Sequence, residues 1–387
     1  MLAGPSSGLD VVFGLDDTVY LVDQGSMAAY RVEAGGRPLW QVDTGSVYPF
    51  VIATEDPGLI VVDMGAVNSA VRSVQVRDSR TGAVRWERAS LGAFEVAGDT
   101  VVLTDVADVA NAVAGVAPPG ASGAFLGVDL RTGRTRWSRR VAPGTVLGYR
   151  YLTPSLLSSA AAELSSDGWL RMIDLATGAD RQVVRLALAG TPGSVAVRGD
   201  LVVVQQAGAV ESRIVVGYDL ATGAQRWRVE NLSNVWPCDE RWLCVFGDNA
   251  TSVIDPVTGA TLYRGQNFQL TIHGDRLLAW NQHRPGSVGA GAALFDLGTG
   301  RPIRSYGRWQ VAMDDPDRGI LATQLDADDR LLVARLDLET GAATVLGIAD
   351  DWHGDLGCTW GRQYIACRGE DGYRVWPITD DLRPPPR

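Results

Sequence analysis

Residues 129–137 read Asp129-Leu-Arg-Thr132-Gly133-Arg-Thr-Arg-Trp137, and this Asp-x-x-Thr-Gly-x-x-x-Trp pattern returns at Asp78–Thr81–Gly82–Trp86 and at Asp219–Thr222–Gly223–Trp227. Weaker copies keep Asp, Thr and Gly without the tryptophan: Asp174–Thr177–Gly178, Asp255–Thr258–Gly259 with Tyr263 in its place, Asp296–Thr299–Gly300 and Asp337–Thr340–Gly341. A first copy is degenerate, with Gly35–Gly36 followed by Trp40. The glycines recur about every 44 residues, a period that belongs to repeat arrays such as propellers and not to one undivided core.

The stretch between copies reads as four short strands. In the unit around Asp219, Ser194–Arg198 alternates as strand a, Gly199–Asp200 turns, and Leu201–Gln205 is apolar as strand b. Arg213–Leu220 follows as strand c, Thr222–Gly223 turns, and Ala224–Val229 is strand d. Four strands per unit and eight copies predict an all-β propeller of four-stranded blades, eight in number with seven as the alternative. Residues 9–380 form its single domain, residues 1–8 are a leader or linker remnant, and 381–387 are a Pro/Arg-rich tail. Three strands follow the last copy, at Leu356–Trp360, Tyr364–Cys367 and Tyr373–Trp376; they are expected to share a blade with the N-terminal strands around Val11–Val42.

The motif has a mechanical reading. Its aspartate can accept backbone N–H groups in the turn it opens, and its glycine supplies a positive φ at the c–d hairpin. The tryptophan then lies on the outer strand, where a flat ring can pack on the neighbouring unit's turn. So Trp40, Asp78, Gly82, Trp86, Asp129, Gly133, Trp137, Asp219, Gly223 and Trp227 are expected to be structural docking residues.

The chain is acidic, with a formal net charge of −10, and every basic residue is an arginine. That basic set fits a GC-rich genome of the actinobacterial kind. Lacking lysine, the chain has no Schiff-base or P-loop lysine. The net charge argues against nucleic acid and against a polybasic membrane patch. No run approaches the ~20 apolar residues of a membrane-spanning helix. Met1–Gly8 lacks the regions of a signal peptide, which leaves a cytoplasmic protein or one whose leader has been removed.

The cysteines favour the second. Cys238 and Cys244 form one close pair and Cys358 and Cys367 another, each across a predicted a–b hairpin. Neighbouring antiparallel strands suit a disulfide, and an even count at a repeated location fits an oxidising compartment. Zinc would want tighter spacing or clustered histidines, whereas His273, His283 and His353 are scattered.

The Asp-x-x-Thr-Gly-x-x-x-Trp repeat, carried by Val128–Asp129–Thr132–Gly133–Trp137 and Tyr218–Asp219–Thr222–Gly223–Trp227, resembles the tryptophan-docking motif of PQQ-like propellers. These are the quinoprotein alcohol dehydrogenases and the outer-membrane assembly propeller lipoproteins. The resemblance runs from about Asp10 to Ile378 and implies the fold more than the function. A dehydrogenase of that family would carry PQQ, calcium, a catalytic aspartate and a vicinal Cys–Cys pair. No two cysteines are adjacent here. The expectation is therefore a non-catalytic protein without cofactor or metal, the alternative being a PQQ- or metal-dependent oxidoreductase.

Other signals have plain readings. The acidic groups Asp314–Asp315–Asp317 and Asp326–Asp328–Asp329 lack the spacing of a calcium loop and read as exposed turns. Arg198–Gly199–Asp200 spells an adhesion tripeptide, yet Ala97–Gly98–Asp99 and His273–Gly274–Asp275 fill the same hairpin position, so a Gly-Asp turn is a recurring structural device. The irregularities carry more. Long insertions at Ala107–Ser122 (with Pro118 and Pro119), Ser158–Asp167, Ala207–Ser212 and Gln282–Gly289 (with His283) are read as b–c connections on one face. The expected function is a secreted or membrane-tethered binding, scaffold or sensor module for a protein or cell-envelope ligand, held by that face. A carbohydrate-binding propeller is a second alternative. If the cysteines are paired, thiol titration of the unfolded, unreduced protein will find almost no reactive cysteine; four reactive thiols would end the export argument.

Overall fold

The structure is a computed structural model. It describes residues 11–377 apart from several connections, the longest being 105–122, 151–158, 282–290 and 350–357. The chain is an all-β propeller built of eight four-stranded antiparallel blades, and a further three-stranded sheet ends it. It divides into two compact units, 44–261 and 1–43 with 262–387.

In the unit 44–261 the blade read most fully from sequence has strands Pro192–Arg198, Leu201–Ala207, Arg213–Asp219 and Gln225–Glu230, paired in chain order. Its strand b shows why such strands are apolar throughout. Val202 and Val204 pack with Val146, Ala162, Leu164 and Leu170 of the preceding blade. Leu201 and Val203 pack with Val235, Leu243 and Val245 of the following one. Alternate residues thus serve two interfaces, so the period-2 alternation separates two neighbours instead of core from water. Each fully buried valine or leucine contributes roughly 1.5–3 kcal/mol, and a core of this kind lies between every described pair of successive blades here.

The blade of Val146–Arg150, Ala160–Leu164, Trp169–Asp174 and Asp180–Arg185 corrects one expectation. Ser158–Asp167 is not a b–c insertion. Ala160–Leu164 inside it is strand b, every residue buried, and the b–c link is the tight turn after Leu164. The long connection, 151–158, falls between strands a and b. This blade and the next also join through their first strands in parallel, Tyr149 opposite Ala196 and Arg150 opposite Val197, giving one eight-stranded sheet. The segments 105–122 and 208–212 do lie between strands b and c of their blades.

In the other unit, Val11–Leu15, Thr18–Asp23, Ser26–Arg31 and Pro38–Asp43 form one sheet. Cys358–Gly361, Tyr364–Gly369 and Gly372–Pro377 form their own three-stranded sheet. The expected shared blade is therefore not formed: four strands already pair at the N-terminus, leaving none to be completed. Between Phe268–His273 and Ala343–Ala349 lie two further blades, whose shared core holds Leu278, Leu294, Tyr306, Ile320 and Leu336. The segment 282–290 lies between strands b and c of the first of these.

Candidate functional site

The motif turns are alike from copy to copy. Asp129 Oδ1 accepts the backbone N–H of Arg131 at 3.1 Å, that of Thr132 at 2.8 Å, and the Thr132 hydroxyl at 2.8 Å. The N–H of Gly133 donates to the Asp129 carbonyl, closing the turn. Asp78, Asp174 and Asp219 repeat the Thr contacts with Thr81, Thr177 and Thr222. The motif glycines, from Gly82 to Gly341, take φ between 66° and 73°. An L-residue is strained in that left-handed conformation, which is why the position is glycine.

The tryptophans dock forward. Trp86 Nε1 donates to the Leu130 carbonyl at 2.7 Å, Trp137 Nε1 to that of Leu175 at 2.9 Å, and Trp227 Nε1 to that of Pro256 at 2.7 Å. In each case the acceptor is the residue after the next motif's aspartate. The same indole covers that motif's glycine: a Cβ on Gly133 would stand 2.8 Å from Trp86, and one on Gly178 or Gly259 would stand 2.6 Å from Trp137 or Trp227. Leu130 also donates its N–H to the Asp99 carbonyl of its own a–b turn. One peptide residue thereby ties two turns of its blade to the preceding blade. Pro256 has no N–H and keeps only the acceptor half of this role.

Sequence reading missed a further member. An arginine stands seven residues after the aspartate in four blades, directly before the docking position. Arg85 meets Asp78 at 2.6 Å, Arg136 meets Asp129 at 2.5 Å, Arg181 meets Asp174 at 2.6 Å and Arg226 meets Asp219 at 2.5 Å. Three of them also reach toward the start of strand b, at Thr100, Ser159 and Asp200. The signal was present as Asp-x-x-Thr-Gly-x-x-Arg. These contacts move the acids. Arg226 and Thr222 hydrogen bonds bring Asp219 down to about 2. At Asp129 burial pushes upward, but the bonds from Thr132 and Arg136 outweigh it and bring the carboxyl down to about 2.

Copies without tryptophan fill the same place differently. Gln182 Nε2 donates to the Leu220 carbonyl at 2.8 Å, reproducing the indole's bond without its ring. Tyr263 packs against Phe295 with ring centroids 5.1 Å apart. Arg304 bonds the Thr340 carbonyl and covers Gly341. Trp40 is buried and lies near Tyr20, with ring centroids 5.9 Å apart.

The remaining candidates separate clearly. Cys238 and Cys244 are disulfide-bonded across the a–b hairpin, with α-carbons 5.1 Å apart. Cys358 and Cys367 are register partners on adjacent strands; their side chains lie outside the described ones. Both charged residues of Arg198–Gly199–Asp200 are engaged: Arg198 donates to the Trp242 carbonyl, and Asp200 pairs with Arg226. His273 closes strand a at the expected turn. Asp326 accepts the N–H of Asp328 and Arg330 and pairs with the Arg330 guanidinium, so this acidic run is a capped turn. Asp314 and Asp315 are strand residues. Among the described residues no group of three or more His, Cys, Asp or Glu gathers. Of the expected binding-loop residues, Ala107, Pro118, Pro119, Ser158, Gln282, His283 and Gly289 lie outside the described residues, while Asp167 is exposed in the tight b–c turn.

The arrangement is that of a propeller whose blades are clamped in sequence by a donor wedge. No protein-family model matches the chain. No curated protein matches it either. Solved structures do. BamB from Moraxella catarrhalis is 17% identical, with 92% of this chain and 99% of that chain covered and a TM-score of 0.48. Quinohemoprotein alcohol dehydrogenase from Comamonas testosteroni is 10% identical over 79% of this chain and 69% of that one, with a TM-score of 0.47. A eukaryotic initiation factor is 12% identical over 94% of each chain, with a TM-score of 0.54. At these identities the likeness is one of fold.

Two outcomes follow from the clamp. Gly133→Ala should cost about 2–3 kcal/mol in denaturant unfolding, because it adds φ strain and a clash with Trp86. Gly199→Ala, at φ 57° with nothing within 4 Å of its Cβ, should show the conformational part alone. Equal losses would remove the clamp from the explanation. Second, Asp129 and Asp219 titrate in the folded state near 2, below the ordinary 3.8. Their contribution is present above 3.8 and lost as pH falls through about 2, so stability should drop over that window. Asp219→Asn should flatten part of the drop; an unchanged pH profile would contradict the assignment.

Proposed function

We propose that this chain is a non-catalytic binding module that acts outside the cytoplasm, secreted or anchored to a membrane, and recognises a protein or cell-envelope component. The observation that carries the reading is how completely the repeated polar residues are used. Asp78, Asp129, Asp174 and Asp219, with their threonines and arginines, are consumed by their own turns, and the tryptophans by the next blade. Chemistry-bearing side chains that recur are thereby assigned to architecture. What differs between blades is the connections. The b–c segments 105–122, 208–212 and 282–290 differ from blade to blade in length and composition, as does the a–b segment 151–158, and the first is apolar with Pro118–Pro119–Gly120. Variable loops on a regular scaffold are where repeat proteins carry recognition. The Cys238–Cys244 disulfide supports an oxidising location.

Deleting Ala107–Ser122 should leave the melting temperature nearly unchanged and abolish retention of the ligand from a solubilised envelope fraction. A collapse of folding would make the segment core and overturn the reading. So would saturable quinone absorbance and dye reduction after incubation with PQQ and calcium, where none is expected.

A further inference from the structure

The c–d hairpin of the blade Val146–Arg185 presents a surface that the docking scheme does not use. Leu170 and Met172 turn inward to the core, as alternation requires. Before them, and on the partner strand opposite Arg171, where polar residues belong, stand Trp169 and Val183. They are 39% and 43% exposed. Trp169 is not this blade's wedge, since Gln182 fills that place. It is the one tryptophan among the described residues that is largely exposed. Register sets Trp169 opposite Arg185, whose guanidinium carbon lies 5.6 Å from the ring centroid. The Arg185 guanidinium makes no hydrogen bond or ion pair with the described residues, which leaves its donors available beside the ring.

The third element is held rigidly. In the b–c turn the Ser165 hydroxyl donates to Asp167 at 2.5 Å and accepts the Trp169 N–H at 3.0 Å. Gly168 takes φ 91°, with the Leu186 carbonyl where a Cβ would stand. This fixes an exposed carboxylate two residues from the ring. The Ser165 hydrogen bond keeps that acid below its usual range, so it remains an acceptor.

We propose that Trp169, Arg185 and Asp167 form a platform for a single pyranose ring of an oligosaccharide, which names the ligand class for the binding-module reading and rests on it. A pyranose has an apolar C–H face and a rim of hydroxyls. An indole face takes the former, and Val183 extends the apolar floor. The guanidinium donates to rim hydroxyls and the carboxylate accepts from them, so both hydrogen-bonding senses are present. A protein partner is less well served. The neighbouring Arg171 and Asp180 are already paired, and the apolar floor is two side chains against the ~800 Å² per partner of a stable interface. Mixed charge at the ring edge favours a neutral sugar over an anionic one.

The test is calorimetric titration of the intact chain with cellohexaose, chitohexaose and maltohexaose as probes. At least one should bind with a Kd on the order of 0.1–1 mM. Trp169→Ala should weaken it at least tenfold and Arg185→Gln about tenfold, with unchanged melting temperatures. Arg185→Gln keeps the test valid if the tryptophan variant does not fold. Absence of binding by all three sugars, or equal binding by the variants, overturns the proposal. So does finding that Trp169→Ala abolishes capture of an envelope protein while no sugar binds. Those results would leave the binding-module reading intact, whereas turnover with PQQ would end that reading whatever the sugars do.

Discussion

A single kind of hydrogen bond organises the unit 44–261: an indole N–H of one blade to the carbonyl that follows the aspartate of the next. It succeeds because everything around that carbonyl is fixed. Asp129 holds its turn through three donors, Gly133 leaves a gap for the Trp86 ring, and the Leu130 N–H is tied to Asp99. Remove any of these and the acceptor would move or the ring would not fit. The arginine seven residues on completes the unit, because it neutralises the aspartate and braces the c–d turn against strand b. Individually such exposed ion pairs are worth little. Here they matter by keeping an acceptor in place.

The clamp is not uniform, and its exceptions are informative. Where Gln182 replaces tryptophan, the hydrogen bond survives and the ring is lost. At that same junction the first strands pair in parallel, Tyr149 with Ala196, and a core of Leu164, Leu170, Val202 and Tyr218 fills the space. Backbone pairing and packing make up for the missing ring. Arg304 shows another solution, an aliphatic stem over Gly341 and a guanidinium on Thr340.

The parts legible in sequence were those governed by local rules. Asp, Thr and Gly at fixed spacing encode a turn whatever surrounds it, so strands near Asp219 were placed within two or three residues. Ala160–Leu164 was not legible. Alanine is a poor strand former, and Ala-Ala-Ala-Glu-Leu reads as a connection until two neighbouring blades bury it. The arginine brace was visible as letters yet has no meaning until strand d folds back beside its turn. Gln182 could not be read as a wedge because only its acceptor, 38 residues away, defines it. Trp169 stands outside the motif spacing, which separates it from the docking tryptophans, but its exposure and its Arg185 neighbour are visible only in the fold.

The forward direction of the clamp has a consequence for biosynthesis. Trp86 finds its acceptor 44 residues later, Trp137 finds its own 38 later and Trp227 29 later. On a ribosome, each indole is synthesised before its partner carbonyl. The blades that carry Trp86, Trp137 and Trp227 would therefore each hold an unmet donor and an uncovered ring until the next blade arrives, so at these junctions the order of translation is also the order in which the blades can be locked.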